Sequence, residues 1–280
     1  MSHRGGYTIV EVLIFIGVSA AIFFSAMTAI GGRQEQVQFA QSVREFDAKV
    51  RDILNDVTTG YFPTNETVQC EVVNGKPEIT IDSDTNLGTN SECIFVGKAI
   101  QFMPDGKGEQ IAIYTLAGRR YEDEDLTPTT SIAEAHPVAI ARSGDNPSFK
   151  DATEQYDLLY GLRVTKVFRP SDDATEYGLV GIFTQFGGAG VSDAQSVQVG
   201  GIIGSSSGQD KDAALGLLNI VTDDITSVGD NGYIEKNTKE GIVVCLASYN
   251  GDRKSSVAFG ARGSTATTLD IDTYNPECDA

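Results

Sequence analysis

From Tyr7 to Ile30 the chain runs 24 residues with a single charged side chain, Glu11. A carboxylate at the centre of a bilayer costs about 2.5–3.5 kcal/mol on insertion scales, so an acid inside such a stretch reads as functional, with an opposite charge as its partner. Glu11 lies about one helical turn from Tyr7, where shallow depth and the positive end of the helix dipole both lower that cost. Other groups able to do chemistry are few. Four cysteines, Cys70, Cys93, Cys245 and Cys278, form an even set without a Cys-x-x-Cys pair, and the two histidines are His3 and His136. Zinc sites recruit closely spaced Cys and His ligands, so neither metal nor cofactor is expected.

Three further strings invite chemistry and fail on their surroundings. Gly204-Ser205-Ser206-Ser207-Gly208 spells a nucleophile elbow, but the elbow needs a strand before it, a helix after it and a later histidine, whereas His136 comes earlier. Asp82-Ser83-Asp84-Thr85-Asn86 starts like a calcium loop, yet Gly88 falls one place late and Cys93 stands where a glutamate is required. Glu122-Asp123-Glu124-Asp125 reads as a solvated acidic loop. The basic doublets Arg119-Arg120 and Arg253-Lys254 sit in a chain of formal charge −18, which argues against nucleic acid as a partner because phosphate binding needs a basic surface. The chain reads as a non-enzyme.

The element that must position Glu11 is a helix. Twenty-four residues rise about 36 Å, enough for a hydrocarbon core of about 30 Å, and Arg4 ahead of them holds that end in the cytoplasm. Small residues recur every fourth position, at Gly17, Ala21, Ser25 and Ala29, and form one stripe along which helix backbones can approach closely. Beyond Arg33 the period continues with a changed character. Val37, Ala40, Val43, Phe46, Val50, Ile53, Leu54 and Val57 make an apolar stripe, with Glu45–Lys49 and Asp47–Arg51 expected as i, i+4 pairs on the polar side. Gly31-Gly32 is the place where a kink costs least, and Gly60 with Pro63 marks the stop.

Gly6-Tyr7-Thr8-Ile9-Val10-Glu11 resembles the class III signal of type IV prepilins and type II secretion pseudopilins: Gly, an aromatic, Thr, two aliphatics, then Glu. The family's usual aromatic is Phe, so Tyr7 is a departure. The resemblance implies a leader of residues 1–6, removed by a prepilin peptidase that cuts between Gly6 and Tyr7 and methylates the new N-terminus at Tyr7. It implies that Glu11 meets the N-terminal amine of a neighbouring subunit during assembly. It further implies a filament-core helix over residues 7–30, an amphipathic continuation over 31–60 and an extracytoplasmic domain over 61–280. Before assembly the chain would be a single-pass protein of the cytoplasmic membrane in contact with lipid. Its partners would be the peptidase, an inner-membrane assembly platform and other pilin or pseudopilin subunits, and its destination a cell-surface pilus or pseudopilus.

An ordinary signal peptide cut near Val18-Ser19-Ala20 and an uncleaved single-pass anchor are the competing readings of this segment, and Glu11 inside the apolar stretch speaks against both. With the bulk of the chain outside the cytoplasm, disulfides become the expected use of the cysteines. Four cysteines allow three connectivities. Neighbour pairing, Cys70–Cys93 and Cys245–Cys278, is the expected one, and each loop would contribute about 3–4 kcal/mol in the chain-entropy model.

The globular part reads as short strands separated by Gly, Pro and Asn: 69–73, 78–81, 93–96, 111–114, 160–168 and 177–186. Residues 122–158 and 187–210 read as long loops. Ala213–Ile225 carries Leu215, Leu217, Leu218, Val221 and Ile225 at near-helical spacing and suits a short covering helix. Strands 242–246, 255–259 and 267–271 follow, the first two joined at Asn250-Gly251. This ending is similar to that of H-type minor pseudopilins. The fold class expected is α+β, a long N-terminal helix packed on an antiparallel sheet. The function expected is structural, a minor pilin or pseudopilin of a type IV filament, with a filament-displayed adhesin or a DNA- or partner-binding subunit as the alternative.

Overall fold

The structure is a computed structural model that describes residues 8–60, 68–73, 76–81, 92–121, 127–140, 153–170, 172–184, 197–202, 205, 208, 211–223, 241–271 and 278. Two compact units make up the chain, Met1–Gln41 and Ser42–Ala280. One helix, α1 (Ile9–Thr59), contributes to both and runs through Gly31 and Gly32 as helix.

Within the second unit, the residues of α1 that face inward are those the periodicity selects. Val43, Phe46, Val50, Ile53, Leu54 and Val57 are all buried, and each such side chain stabilises the fold by about 1.5–3 kcal/mol. Val37, on the same period, belongs to the first unit and is 64% exposed.

The remaining elements are strands β1 (Val68–Val73), β2 (Lys76–Ile81), β3 (Cys93–Phe102) and β4 (Gln110–Arg119), a short helix α2 (Ile132–Ala135), then β5 (Val138–Ala139), β6 (Thr153–Asp157), β7 (Arg163–Arg169), β8 (Asp172–Glu176), β9 (Leu179–Thr184) and β10 (Val197–Gly201). Helix α3 (Lys211–Asp223) and strands β11 (Ile242–Ala247), β12 (Lys254–Phe259) and β13 (Thr267–Ile271) complete the helices and strands of the described residues. Among the described residues there are two large sheets instead of one, ordered β10-β9-β3-β4-β5 with β6 also on β4, and β13-β12-β11-β7-β8, beside the β1-β2 hairpin. Among the described residues every strand pairing is antiparallel. The α+β class therefore holds.

Four local expectations change. Val197–Gly201, inside the expected loop 187–210, is a strand because β9 supplies its hydrogen-bond partners from Val180 to Thr184. Thr153–Asp157, inside the expected loop 122–158, pairs with β4. The expected strand 160–168 starts only at Arg163, since Leu159–Gly161 is a 3-10 turn with Tyr160 at φ 51, ψ 34. The expected strand 177–186 starts only at Leu179, and Tyr177 and Gly178 separate it from a further strand, Asp172–Glu176.

A bulge decides the faces of the first sheet. The β3–β4 register shifts between Phe95 and Gly97, which puts Val96 on the same side as Ala99. That side is covered by α3, through Ala214, Leu215 and Leu218, and by Ile132 and Ala135 of α2. Helix α3 is thus the covering helix that its leucine spacing suggests. Gly97 has φ +153, and a Cβ there would sit 2.1 Å from the Ile182 carbonyl oxygen. The opposite face carries Lys98, whose Nζ lies 2.6 Å from Asp56 Oδ2 on α1.

Polar contacts fasten the second half of α1 to both sheets. Lys98 is only 3% exposed, so its charge is held by Asp56 across the helix–sheet boundary. Asp47 was expected on the polar side but is 5% exposed. It pairs with Arg51 at 2.7 Å, as the i, i+4 spacing suggests, and also accepts the Thr267 hydroxyl of β13. Arg51 Nε donates to Thr267 Oγ1 at 2.7 Å. Lys49 reaches Glu154 of β6 at 2.5 Å, with the Tyr156 ring 5.6 Å away.

Candidate membrane and assembly segment

The first turn of α1 is closed by a reciprocal pair. The Thr8 carbonyl accepts the first helical bond, from the Val12 N–H at 3.2 Å, which makes Thr8 the N-cap. Its hydroxyl oxygen accepts the Glu11 N–H at 3.3 Å. In return, Glu11 Oε2 accepts the Thr8 N–H and the Thr8 O–H, each at 3.1 Å. This is a capping box, Thr-x-x-Glu, in which two N–H groups without helical partners are satisfied by side chains. The signal was present in the sequence as Thr8 and Glu11 three apart, just before an apolar run. The carboxylate also lies at the positive end of the helix dipole.

Behind the box the helix is apolar and uncovered within the chain. Residues 8–27 are all exposed, including Phe15 at 72% and Phe24 at 70%. Ile9–Met27 is long and apolar enough to cross a membrane, rising about 28 Å against a core of about 30 Å.

Gly17, Ala21 and Ser25 lie on the exposed helix, and the side chain of Ala29 is outside the described residues. A Cβ added at Gly17 would meet nothing within 4 Å, so this fold imposes no steric need for glycine there. Ser25 Oγ donates to the Ala21 carbonyl at 2.9 Å. That bond gives the hydroxyl a partner within its own helix. Gly6 and Tyr7 lie outside the described residues.

The cysteine expectation is met where it can be read. Cys245 and Cys278 are joined, 33 residues apart, with Cα atoms 5.6 Å from each other. Cys245 lies in β11, the central strand of the second sheet, beside Phe168 and Val243. Cys93 is also disulfide-bonded, and the side chain of Cys70, its expected partner, is outside the described residues.

The discarded motifs stay apart. Ser205 is buried, and its hydroxyl oxygen accepts the N–H groups of Gly178 and Leu179, both at 3.0 Å, while donating to the Ile202 carbonyl at 2.5 Å. It serves as a bracket between β9 and the end of β10, and Ser206 is outside the described residues. Arg119 Nε donates to the Glu134 carbonyl at 2.6 Å, so this member of the doublet braces α2. Asp82–Asn86 and Glu122–Asp125 lie outside the described residues. Among the described residues no three His, Cys, Asp or Glu side chains are grouped to hold a metal.

Compared with known proteins, the chain matches no family model, no curated protein and no solved structure.

Proposed function

We propose that this chain is a structural subunit of a type IV pilus-like filament, a minor pilin or pseudopilin processed by a prepilin peptidase. The reading rests on one observation above others: an exposed apolar segment, Ile9–Met27, whose single carboxylate, Glu11, is drawn into a capping box with Thr8, just after Gly6-Tyr7 in the sequence. A cut after Gly6 creates an amine at Tyr7, four residues before that carboxylate in the sequence. Within the capping box, Glu11 is held by hydrogen bonds that cross no subunit boundary. In an apolar filament core the same carboxylate costs several kcal/mol unless an opposite charge meets it, and the amine of a neighbouring copy supplies that charge.

The second unit would be the part displayed outside the cytoplasmic membrane. Its Cys245–Cys278 bond suits an oxidising compartment. Prepilin peptidase, the assembly platform and other subunits are the partners this reading requires. The decisive measurement is the intact mass of the mature protein from cells. Loss of Met1 to Gly6 with one added methyl supports the reading, and a chain starting near Ala21 returns the segment to the signal peptides.

A further inference from the structure

The two sulfurs of the Cys245–Cys278 bond have unlike surroundings. Cys245, in the central strand β11 of the second sheet, is 1% exposed. Cys278 is only partly buried where it packs against Phe168, Val243 and Cys245. A disulfide opens when a thiolate attacks one sulfur and the other leaves with the electron pair. Access therefore assigns the roles: the attack falls on Cys278, and Cys245 is expelled.

Beside that leaving group stands a cation. Lys166 of β7 is paired directly opposite Cys245, and Phe168, two residues on, is opposite Val243. Side chains paired in this way share one face of the sheet, with Cβ atoms about 4.5–5.5 Å apart. Lys166 is only 8% exposed, and its Nζ lies 5.1 Å from the centroid of the Phe168 ring, which itself packs on Cys245. On the other side β12 sets the uncharged Ser256 opposite Cys245. Asp270 of β13, paired with Ser256, is one strand further and exposed.

Burial on its own disfavours a thiolate, whereas a neighbouring lysine favours one. Around buried Cys245 the ammonium acts with little water to weaken it. We propose that Cys245–Cys278 is a reducible bond and that Lys166 makes it so. A dithiol, small or carried on an oxidoreductase, attacks Cys278 Sγ as a thiolate. The sulfur–sulfur bond breaks, its electron pair passes to Cys245 Sγ, and Lys166 stabilises the thiolate formed there. The second thiol of the dithiol then displaces Cys278. The dithiol ends as a disulfide, and its protons go to Cys278 and to solvent. Opening unties Cys278 from Phe168 and Val243. This property does not depend on the filament reading.

The test uses the oxidised full-length protein in detergent. Reduced glutathione, a single thiol, should leave its adduct on Cys278 and none on Cys245, read by peptide mass after an acid quench. With dithiothreitol, Lys166→Met should open the bond about tenfold more slowly than the native chain. It should also need a potential about 30 mV lower, the equivalent of a tenfold change for a two-electron couple. Lys166→Arg, which keeps the charge, should behave as native. The disulfide at Cys93 in the same molecule is the control, and its opening rate should not change. If it opens faster in Lys166→Met, the fold is loosened and Lys166→Gln takes that variant's place. An adduct on Cys245, or native-like opening in a folded variant without the charge, would overturn the proposal. Cleavage after Gly6 alters none of these readouts, so this bond and the filament reading can fail separately.

Discussion

The Thr8 and Glu11 side chains satisfy each other's backbone, with the Glu11 N–H on the Thr8 hydroxyl at 3.3 Å and the Thr8 N–H on the Glu11 carboxylate at 3.1 Å. Glu11 therefore has work within its own chain before any neighbour arrives. Two substitutions separate the two roles. Thr8→Val removes the cap and keeps the charge, costing the first turn about 1 kcal/mol. Glu11→Ala removes both and makes the segment more apolar. Membrane insertion should be at least as efficient for Glu11→Ala as for the native chain, and cleavage should persist. Glu11→Ala should nonetheless be depleted from filaments, while Thr8→Val should enter them. Equal depletion of both would assign Glu11 to capping alone.

Changing Gly6 to a bulky residue should leave the precursor uncut and membrane-bound. Immunoblot mobility together with intact mass of the membrane fraction reads this directly. Normal processing of such a variant would detach the cleavage expectation from Gly6-Tyr7.

Cys245–Cys278 pins the C-terminal region to the central strand of the second sheet. Cys245→Ser should lower stability by about 2–4 kcal/mol, measured by urea unfolding of the oxidised full-length protein in detergent. Peptide mapping of the native protein should also find Cys70 joined to Cys93. A crossed pattern would defeat the pairing and leave export untouched.

Lys98 and Asp56 test how the helix is fastened to the first sheet. Asp56→Ala leaves a lysine only 3% exposed without its carboxylate, and breaking such a pair costs about 3–5 kcal/mol. Lys98→Met added to Asp56→Ala should recover most of that loss. Denaturation midpoints of the two variants decide it, and a double variant as weak as the single one would mean that the pair is not the source of the loss.

Glu134 offers a pH test. The Thr130 N–H, at 2.6 Å from Oε2, is the main cause holding this carboxyl below its ordinary value. Burial, the next in size, works the other way, and further hydrogen bonds from Thr130 and Ser131 add to the lowering. A depressed folded value means that the contribution to stability is fully present above the unfolded carboxylate value and is lost as pH falls through the folded one. Glu134→Gln should flatten the acid limb of the stability curve, and carboxyl chemical shifts should show the native group titrating below an exposed glutamate.

What the residues settle alone is what short-range spacing carries. The apolar run with one acid, the helix from Ile9 to Thr59, the α3 leucines and the tail hairpin all follow from period and turn chemistry within a few residues. The Thr8–Glu11 box belongs there too, since both partners lie on one turn. Tertiary structure decides everything whose partner is remote. Asp47 looks like a surface acid until Thr267 meets it. Lys98 looks solvated until β3 brings it to Asp56. Val197–Gly201 sits in a Gly/Ser-rich stretch and becomes a strand because β9 offers a ladder. Glu109, Arg163 and Tyr249, up to 140 residues apart in the chain, meet only because three turns are brought together. Local spacing sets each element's own hydrogen bonds and faces, whereas burial of a charge or pairing of an edge depends on which distant backbone arrives opposite it.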